Sequence, residues 1–437
     1  MTTPTRLDHT LPAILSDLAT GPYPDYVDDA IGRTSRMRQR PAWAFPERWL
    51  RMDIATRVAP AGRLPWRQIG VLALIAVLLA AALAVAVGSQ RRVPNPFGPA
   101  ANGLIPYASN GDIYLGDPLT GATRLLVQSP ETESGAETSP DGTRVAFARS
   151  VAGTTQTDAF VVGIEGSSPH KITLKPIDHL TWGGWAPDGR HLALVHDVDG
   201  SAGQCPTTIC TVGQLDLVDA DGSGHIDTIA TVRGLSYVQF SPPDGHRLLY
   251  RALVEDKWGL FEMDADGRNV RTVVPPTVPA DMGATFASAA YSADGSRVFF
   301  NQYTLDASYG QPGCCQLFVV NADGTDLHKF IPNTSGAWDG AAVVSPDGKW
   351  VAFWHNDKPA HGVSVIRADG TGPIVETGPS LTGTAHWIWA PDSSSILMFP
   401  DGTYSGKAYL LDPAGGTYKT VPWTSSGDLD WQRRSLD

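Results

Sequence analysis

The chain has 437 residues and carries 45 acidic against 33 basic side chains, a net charge of −12. The acid excess is confined to one part: residues 93–437 hold 38 acids and 21 bases, net −17, whereas residues 1–68 hold 10 Arg and 7 acids, net +3. A surface so acidic repels nucleic acid and anionic lipid and excludes them as partners of the larger part, leaving cations, basic proteins or plain solubility as its use. Arg outnumbers Lys 25 to 8, which points to a GC-rich bacterial genome.

Residues 1–68 read as a tail that is partly helical or disordered and too small for a core of its own. A short helix is predicted over Leu11 to Leu18 and a second around Tyr26 to Met37, followed by the proline-punctuated run Pro41-Ala-Trp-Ala-Phe-Pro-Glu-Arg-Trp-Leu50. Trp43, Phe45 and Trp49 suit a membrane interface. The alternative is a docking segment for a cytoplasmic regulator such as a sigma factor, on the general layout of single-span anti-sigma proteins. The zinc-binding His and Cys of many such regulators are absent from the tail.

Ile69 to Val87 is nineteen residues without a charge, the length that crosses a hydrocarbon core. Apolarity on every face argues against a buried globular helix. The 68 preceding residues argue against a cleaved signal peptide, although Ala84-Val-Ala86 loosely mimics a cleavage site. Arg48, Arg51, Arg57, Arg63 and Arg67 precede the run and only Arg91 and Arg92 follow it, so the N-terminus is expected in the cytoplasm and the remainder outside. Residues 69–88 are thus assigned as a transmembrane helix and 89–102 as a linker.

Beyond the linker one turn is written six times: Ser139-Pro-Asp-Gly142, Ala186-Pro-Asp-Gly189, Ser241-Pro-Pro-Asp-Gly245, Ser292-Ala-Asp-Gly295, Ser345-Pro-Asp-Gly348 and Ala390-Pro-Asp-Ser393. The Asp residues are separated by 47, 56, 50, 53 and 45 positions, the period of propeller blades. Pro presets φ, Asp tolerates turn geometry and Gly supplies positive φ where strands reverse. A strand signal follows each turn, as in Arg144-Val-Ala-Phe147 and Trp350-Val-Ala-Phe353. Before five of the six turns a bulky residue recurs (Trp185, Phe240, Tyr291, Val344, Trp389), placed to pack one sheet on the next.

A second hairpin completes each unit, as in Leu260-Phe-Glu-Met-Asp-Ala-Asp-Gly267 and Leu317-Phe-Val-Val-Asn-Ala-Asp-Gly324, so two hairpins make one four-stranded blade. An additional copy, Asp112 to Gly121, lies before the first Pro-Asp-Gly turn, giving seven second hairpins against six first ones. A ring must close, and an unpaired edge would be exposed. The C-terminal run Asp428-Leu-Asp-Trp-Gln432, with Trp431 at the bulky position, is therefore expected to supply the inner strand of the blade begun by Leu104 to Val127. The expectation is an all-β, seven-bladed propeller over residues 103–433; six blades is the alternative, if either terminal element packs outside the ring.

These paired motifs resemble the WD40-like propeller repeat of the TolB type, in which a Trp-Ser-Pro-Asp-Gly turn alternates with a Met-Asp-Ala-Asp-Gly turn. The resemblance spans about residues 103–433. It implies extracytoplasmic scaffolding, sensing or ligand binding and brings no catalytic residues with it. The chain departs from TolB in showing no N-terminal TolB domain and in carrying an apolar span.

The four cysteines, Cys205, Cys210, Cys314 and Cys315, fall in the part expected outside the membrane, where disulfides persist. Both pairs interrupt the link between second and third strands, in blades 2 and 4, and should emerge on one face. Of three connectivities, local pairing of Cys205 with Cys210 is preferred; a vicinal Cys314–Cys315 ring would be strained, and a four-thiolate zinc site lacks the Cys-x-x-Cys spacing. The Asp-Ala-Asp-Gly motifs at Asp219 and Asp264 superficially match calcium loops but lack the later bidentate Glu, and Arg367 fills the first place of another copy. No Gly-x-Ser-x-Gly elbow or His-Glu-x-x-His motif occurs, and His355 and His361 have no acidic partner at metal-site spacing.

The sequence therefore reads as a single-pass membrane protein with an extracytoplasmic propeller that binds, scaffolds or senses a protein or small molecule, without enzymatic activity and without a cofactor. A transmembrane regulator signalling through its tail to a cytoplasmic protein is the second reading. An enzyme with a site in the propeller channel is the third.

Overall fold

In a computed structural model of the chain, the described residues are 72–77, 93–198, 212–279, 288–302, 316–331, 338–356, 361–381, 385–400, 408–423 and 430–436. The four cysteines, the tail and most of the apolar run lie outside them. Residues 72–77 are helical, and no helix among the described residues is long and apolar enough to cross a membrane. The chain divides into two compact units, Met1–Ser89 and Gln90–Asp437.

The second unit is all β. Six four-stranded antiparallel sheets follow one another in chain order, each strand paired with its sequence neighbour, and a three-stranded sheet of Ile105–Ser109, Asp112–Gly116 and Thr123–Val127 precedes them. We call the latter the terminal blade and the others blades 1 to 6. Their inner strands are Glu133–Thr138, Thr181–Trp185, Ser236–Phe240, Ala289–Tyr291, Trp338–Val344 and Ala385–Trp389. Seven blades are present, as expected from the repeats.

Buried apolar side chains form seven clusters, each between two adjacent sheets. The bulky residues before the turns serve these interfaces: Trp185, Phe240, Tyr291 and Trp389 are buried in four of them and Val344 packs against a fifth. Two of the indoles also reach the preceding blade, Trp185 Nε1 donating to the Glu137 carbonyl at 3.3 Å and Trp389 Nε1 to the Val343 carbonyl at 3.0 Å.

The seventh cluster closes the ring. Trp431 is buried with Ile105 and Tyr107 of the terminal blade and Ala390, Leu397, Phe399 and Trp423 of blade 6. The C-terminal segment runs antiparallel beside the start of the terminal blade: Gly103 N donates to the Gln432 carbonyl and Gln432 N to the Leu104 carbonyl, each at 2.9 Å. Arg433–Arg434 then pairs with Ala101–Asn102 as a two-stranded ribbon. The pairing thus extends past Gln432, because no turn joins the two strands here and both continue outward where the other blades reverse. Residues 93–102, read as linker, join the propeller from Val93 onward: Pro94 and Ala100 are buried, and Ala100 N donates to the Pro391 carbonyl at 2.9 Å.

The six turns also touch one another, which accounts for their repetition. Gly295 has φ +72°, and a Cβ there would lie 2.1 Å from the Pro242 carbonyl oxygen of the preceding blade's turn. A Cβ on Gly142 would lie 2.2 Å from the Arg433 carbonyl oxygen, because the C-terminal strand occupies the place of the missing turn. Ser393 stands where the other turns have Gly, takes φ +64°, and accepts a hydrogen bond from Asp347 N at 3.0 Å. The turn carboxylates are consumed internally. Ser292 and Ser296 donate to Asp294 and hold its carboxyl below the usual carboxylate range.

Trp431→Ala is expected to lower stability by about 3–5 kcal/mol, as for other buried aromatic truncations. Gly295→Ala should cost about 1–3 kcal/mol through the left-handed backbone it must adopt, and more through the clash of its Cβ with the Pro242 carbonyl oxygen. Urea unfolding of the purified full-length chain, followed by tryptophan emission, checks both.

Candidate functional site in the propeller channel

The inner strands of an up-and-down propeller line its channel, so the side chains that alternate toward the bore, unlike those packed between blades, can face a ligand. Here those strands are bulged. Register shifts interrupt the pairing of inner and second strands between Ser134 and Glu137, at Ala193/Leu194, between Ser236 and Val238, and between Gly340 and Val343. Left-handed residues mark the same places: Gly135 at φ +61°, Gly184 at +91°, Tyr237 at +53° and Ala341 at +51°. Bulges re-aim side chains, and a non-Gly residue at positive φ is held there by its surroundings.

Three of these bulges border one cavity of about 340 Å³, within the range of small-ligand sites. Gly135, Gly183 and Gly184 form walls without side chains, and Glu137, Trp182, Tyr237, Gln239 and Asp430 supply the chemistry. Trp182 lies over Gly135, whose Cβ would meet the indole nitrogen at 2.6 Å. Glu137 lies against Gly184, where a Cβ would be 3.3 Å from its Oε1. Asp430 comes from the closing strand and accepts from both Thr138 N, at 2.7 Å, and the Thr138 hydroxyl. Gln239 Oε1 accepts from Tyr291 N at 3.4 Å. Burial pushes the Tyr237 phenol well above its ordinary pKa, against a hydrogen bond from the Ala289 backbone, so this wall is neutral. The cavity therefore brings two aromatic and two carboxylate side chains together among its glycines.

A second cavity of about 210 Å³ shares Glu137, Gly183, Gly184, Gln239 and Asp430 with the first and lies toward the turns, among Pro140, Pro187 and Arg433. Pro96 and Phe97 line it, and Phe97 packs against the cluster between blades 2 and 3. The Arg433 guanidinium donates to the Asn95 carbonyl at 3.1 Å and to the Gly98 carbonyl, tying this segment across the turn end of the channel.

Buried ionisable pairs sit elsewhere in the blades. His196 Nε2 lies 2.9 Å from Asp216 Oδ2, whose other oxygen accepts from Thr228 and Gln214. The hydrogen bond to Asp216 raises the His196 pKa, against burial and Lys175. Burial would raise the Asp216 carboxyl, but its hydrogen bonds from His196, Thr228 and Gln214 together hold it low. His355 Nδ1 lies 2.6 Å from Asp339 Oδ1 across paired strands, a partner sixteen residues away that linear spacing did not show. Between blades 3 and 4, buried Glu262 accepts from Tyr291 at 2.6 Å, from Arg247 at 3.1 Å and from Arg271. Among the described residues no group of three His, Cys, Asp or Glu side chains is placed to hold a metal ion. The Asp-Ala-Asp-Gly carboxylates act as turn acceptors, Asp221 Oδ1 receiving Ser223 N at 2.8 Å and Asp266 Oδ1 receiving Arg268 N at 3.1 Å.

Solved structures share the architecture at low identity. The β-propeller domain of the Trilobed protease from Pyrococcus furiosus is 13% identical at TM-score 0.51, over 75% of this chain and 98% of that one. Prolyl oligopeptidase B from Galerina marginata is 13% identical at TM-score 0.55, over 80% of this chain and 54% of that one, so the chain spans about half of that enzyme. TolB from Acinetobacter baumannii is 16% identical at TM-score 0.47, over 75% of this chain and 82% of that one. No family model matches the chain, and no curated protein does. The likeness is one of fold, a seven-bladed propeller.

The His196–Asp216 pair gives stability a pH signature. With its folded pKa raised, His196 contributes fully below the unfolded value of about 6.5 and loses that contribution as pH rises through the folded value. Asp216, with its folded pKa lowered, contributes above the unfolded range and fails as pH falls. Asp216→Asn should therefore flatten the fall in stability above pH 6.5, measured by urea midpoints from pH 5 to 9.

Proposed function

We propose that this chain is a membrane-tethered binding module whose propeller lies outside the cytoplasm and takes a cationic group of a protein or small molecule into its channel. The observation that carries this reading is the placing of Glu137 and Asp430 beside Trp182 in one cavity walled by three glycines. Carboxylates beside an aromatic face attract ammonium or guanidinium, through charge and through the ring quadrupole. The acid excess of residues 93–437 adds a long-range attraction for the same class. The uncharged run Ile69 to Val87 and its flanking arginines support the tether and its direction. Enzymatic activity is not part of the proposal: the propeller shared with prolyl oligopeptidase B covers about half of that enzyme, and this chain has no Gly-x-Ser-x-Gly elbow.

The test is affinity capture from membranes with the full-length chain, Glu137→Gln, Trp182→Ala and a form lacking residues 1–60. Partners lost on Glu137→Gln or Trp182→Ala, and weakened by added salt, identify the channel as the site. The expected loss for the carboxylate exchange is roughly tenfold or more, the equivalent of one charge-assisted hydrogen bond. Partners that survive both exchanges and disappear with residues 1–60 would instead support the regulator that signals through its tail.

A further inference from the structure

The cavities of about 340 Å³ and 210 Å³ are two lobes of one space, because Glu137, Gly183, Gly184, Gln239 and Asp430 line both. Their remaining walls differ in chemistry. Trp182 and Tyr237 belong to the larger lobe alone, and Pro96, Phe97, Pro140 and Pro187 to the smaller alone. The two carboxylates therefore stand at the waist where the lobes meet. Thr138 N and the Thr138 hydroxyl both donate to Asp430 Oδ2, so Oδ1 takes part in neither bond.

The smaller lobe is blind at the turn end. Phe97 packs against the cluster between blades 2 and 3, and three residues later Ala100 N bonds to the Pro391 carbonyl of blade 6, on the opposite side of the seven-membered ring. The segment thus crosses the bore. Arg433, which also lines this lobe, fastens the segment by donating from Nη2 to the Asn95 and Gly98 carbonyls. A group that enters the lobe from the waist ends against Pro96 and Phe97, and neither these side chains nor those of Pro140 and Pro187 offer it a hydrogen bond. We infer that the ligand of the channel is a small organic cation with an apolar tail, its ammonium held at the waist by Glu137 and Asp430 against Trp182 and its tail in the proline-lined lobe against Phe97. The inference rests on the channel reading proposed above and makes Phe97 the residue that sets tail length. An ammonium carries several N–H donors on one atom and serves both carboxylates at once. A run of methylenes gains by leaving water for a recess that requires no hydrogen bond, whereas a polar tail would lose its hydration there without replacement.

The experiment is calorimetric titration of the full-length chain in nonionic detergent with ethyl-, butyl- and hexylammonium, and with 1-hexanol as the same tail without the charge. Affinity is expected to rise about fourfold for each methylene buried, until the lobe is full. Hexanol should bind roughly tenfold or more weakly than hexylammonium, the equivalent of a charge-assisted hydrogen bond. Phe97→Ala is expected to lower the ratio of hexyl to ethyl affinity about tenfold, the contact of one to two methylenes. Phe97→Trp, which retains an aromatic ring there and fills more of the lobe, should end the rise at a shorter chain. Equal affinity for ethyl- and hexylammonium overturns the inference, as does a rise that persists unchanged in both Phe97 variants. In either case a preference for amine over hexanol that Glu137→Gln abolishes leaves the channel reading standing. If no amine binds more tightly than hexanol, or if Glu137→Gln binds hexylammonium as well as the parent chain does, the channel reading falls and the inference with it.

Discussion

Everything in this propeller depends on one contact, the seating of Trp431 and Gln432 beside Gly103 to Ile105. Each sheet is held only by its two neighbours, so seven apolar interfaces stabilise the ring and the last of them has no covalent turn to enforce it. Trp431 is buried between blade 6 and the terminal blade and donates from Nε1 to the Gly103 carbonyl at 3.1 Å. Gln432 uses its side chain as well as its backbone, receiving Leu104 N at 2.9 Å and donating to the Gly142 carbonyl at 2.6 Å. The closing strand is thus bonded to the blade it completes and to the first turn of the next. Leaving it unseated would open an interface and present an unpaired edge.

Closure also decides where the chain ends go. A blade assembled from both termini has no inner turn, so its two strands leave the ring together at the turn end, and the incoming segment has only the channel mouth and the ring of turns to lie upon. Phe97 and the Arg433 bonds to Asn95 and Gly98 follow from that placement. The turns are packing elements as much as reversals: each sits against its neighbour closely enough that Gly142 and Gly295 have no room for a side chain. Ser393 shows the same position filled at φ +64° by a residue whose hydroxyl binds the turn beside it.

Most of the fold was legible because the period, the turns and the bulky residue before five of the six turns are local signals repeated in phase. The count of seven second hairpins against six first ones even identified the strand that closes the ring. The channel was not legible, for a physical reason. Its bulges at Gly135, Tyr237 and Ala341 are imposed by packing around the bore, and nothing in the residues Ser236-Tyr-Val-Gln-Phe240 announces a left-handed Tyr237. The pairing of His355 with Asp339 depends on the bulge between Gly340 and Val343, which resets the register of the two strands. Pro94-Asn-Pro-Phe-Gly-Pro99 has the composition of a linker, and only the bore and Arg433 give it a fixed place. The cysteine pairs lie outside the described residues and keep their three connectivities.

The repeats and the channel therefore answer to different constraints. Second and third strands are nearly uniform in character, Val, Ala, Leu and Phe, because each must pack on both faces: Phe147, Phe300 and Phe353 are fully buried at corresponding places in three blades. Inner strands escape that demand on the channel side and differ from blade to blade, with Glu137 in one, Gly183 and Gly184 in the next and Gln239 in the third. A motif that recurs in every blade reports how the ring is built, and what the ring recognises has to be sought where the blades disagree. In this chain they disagree most between blades 1 and 3, where the closing strand adds Asp430 to the wall and so makes the site depend on the same segment that holds the ring shut.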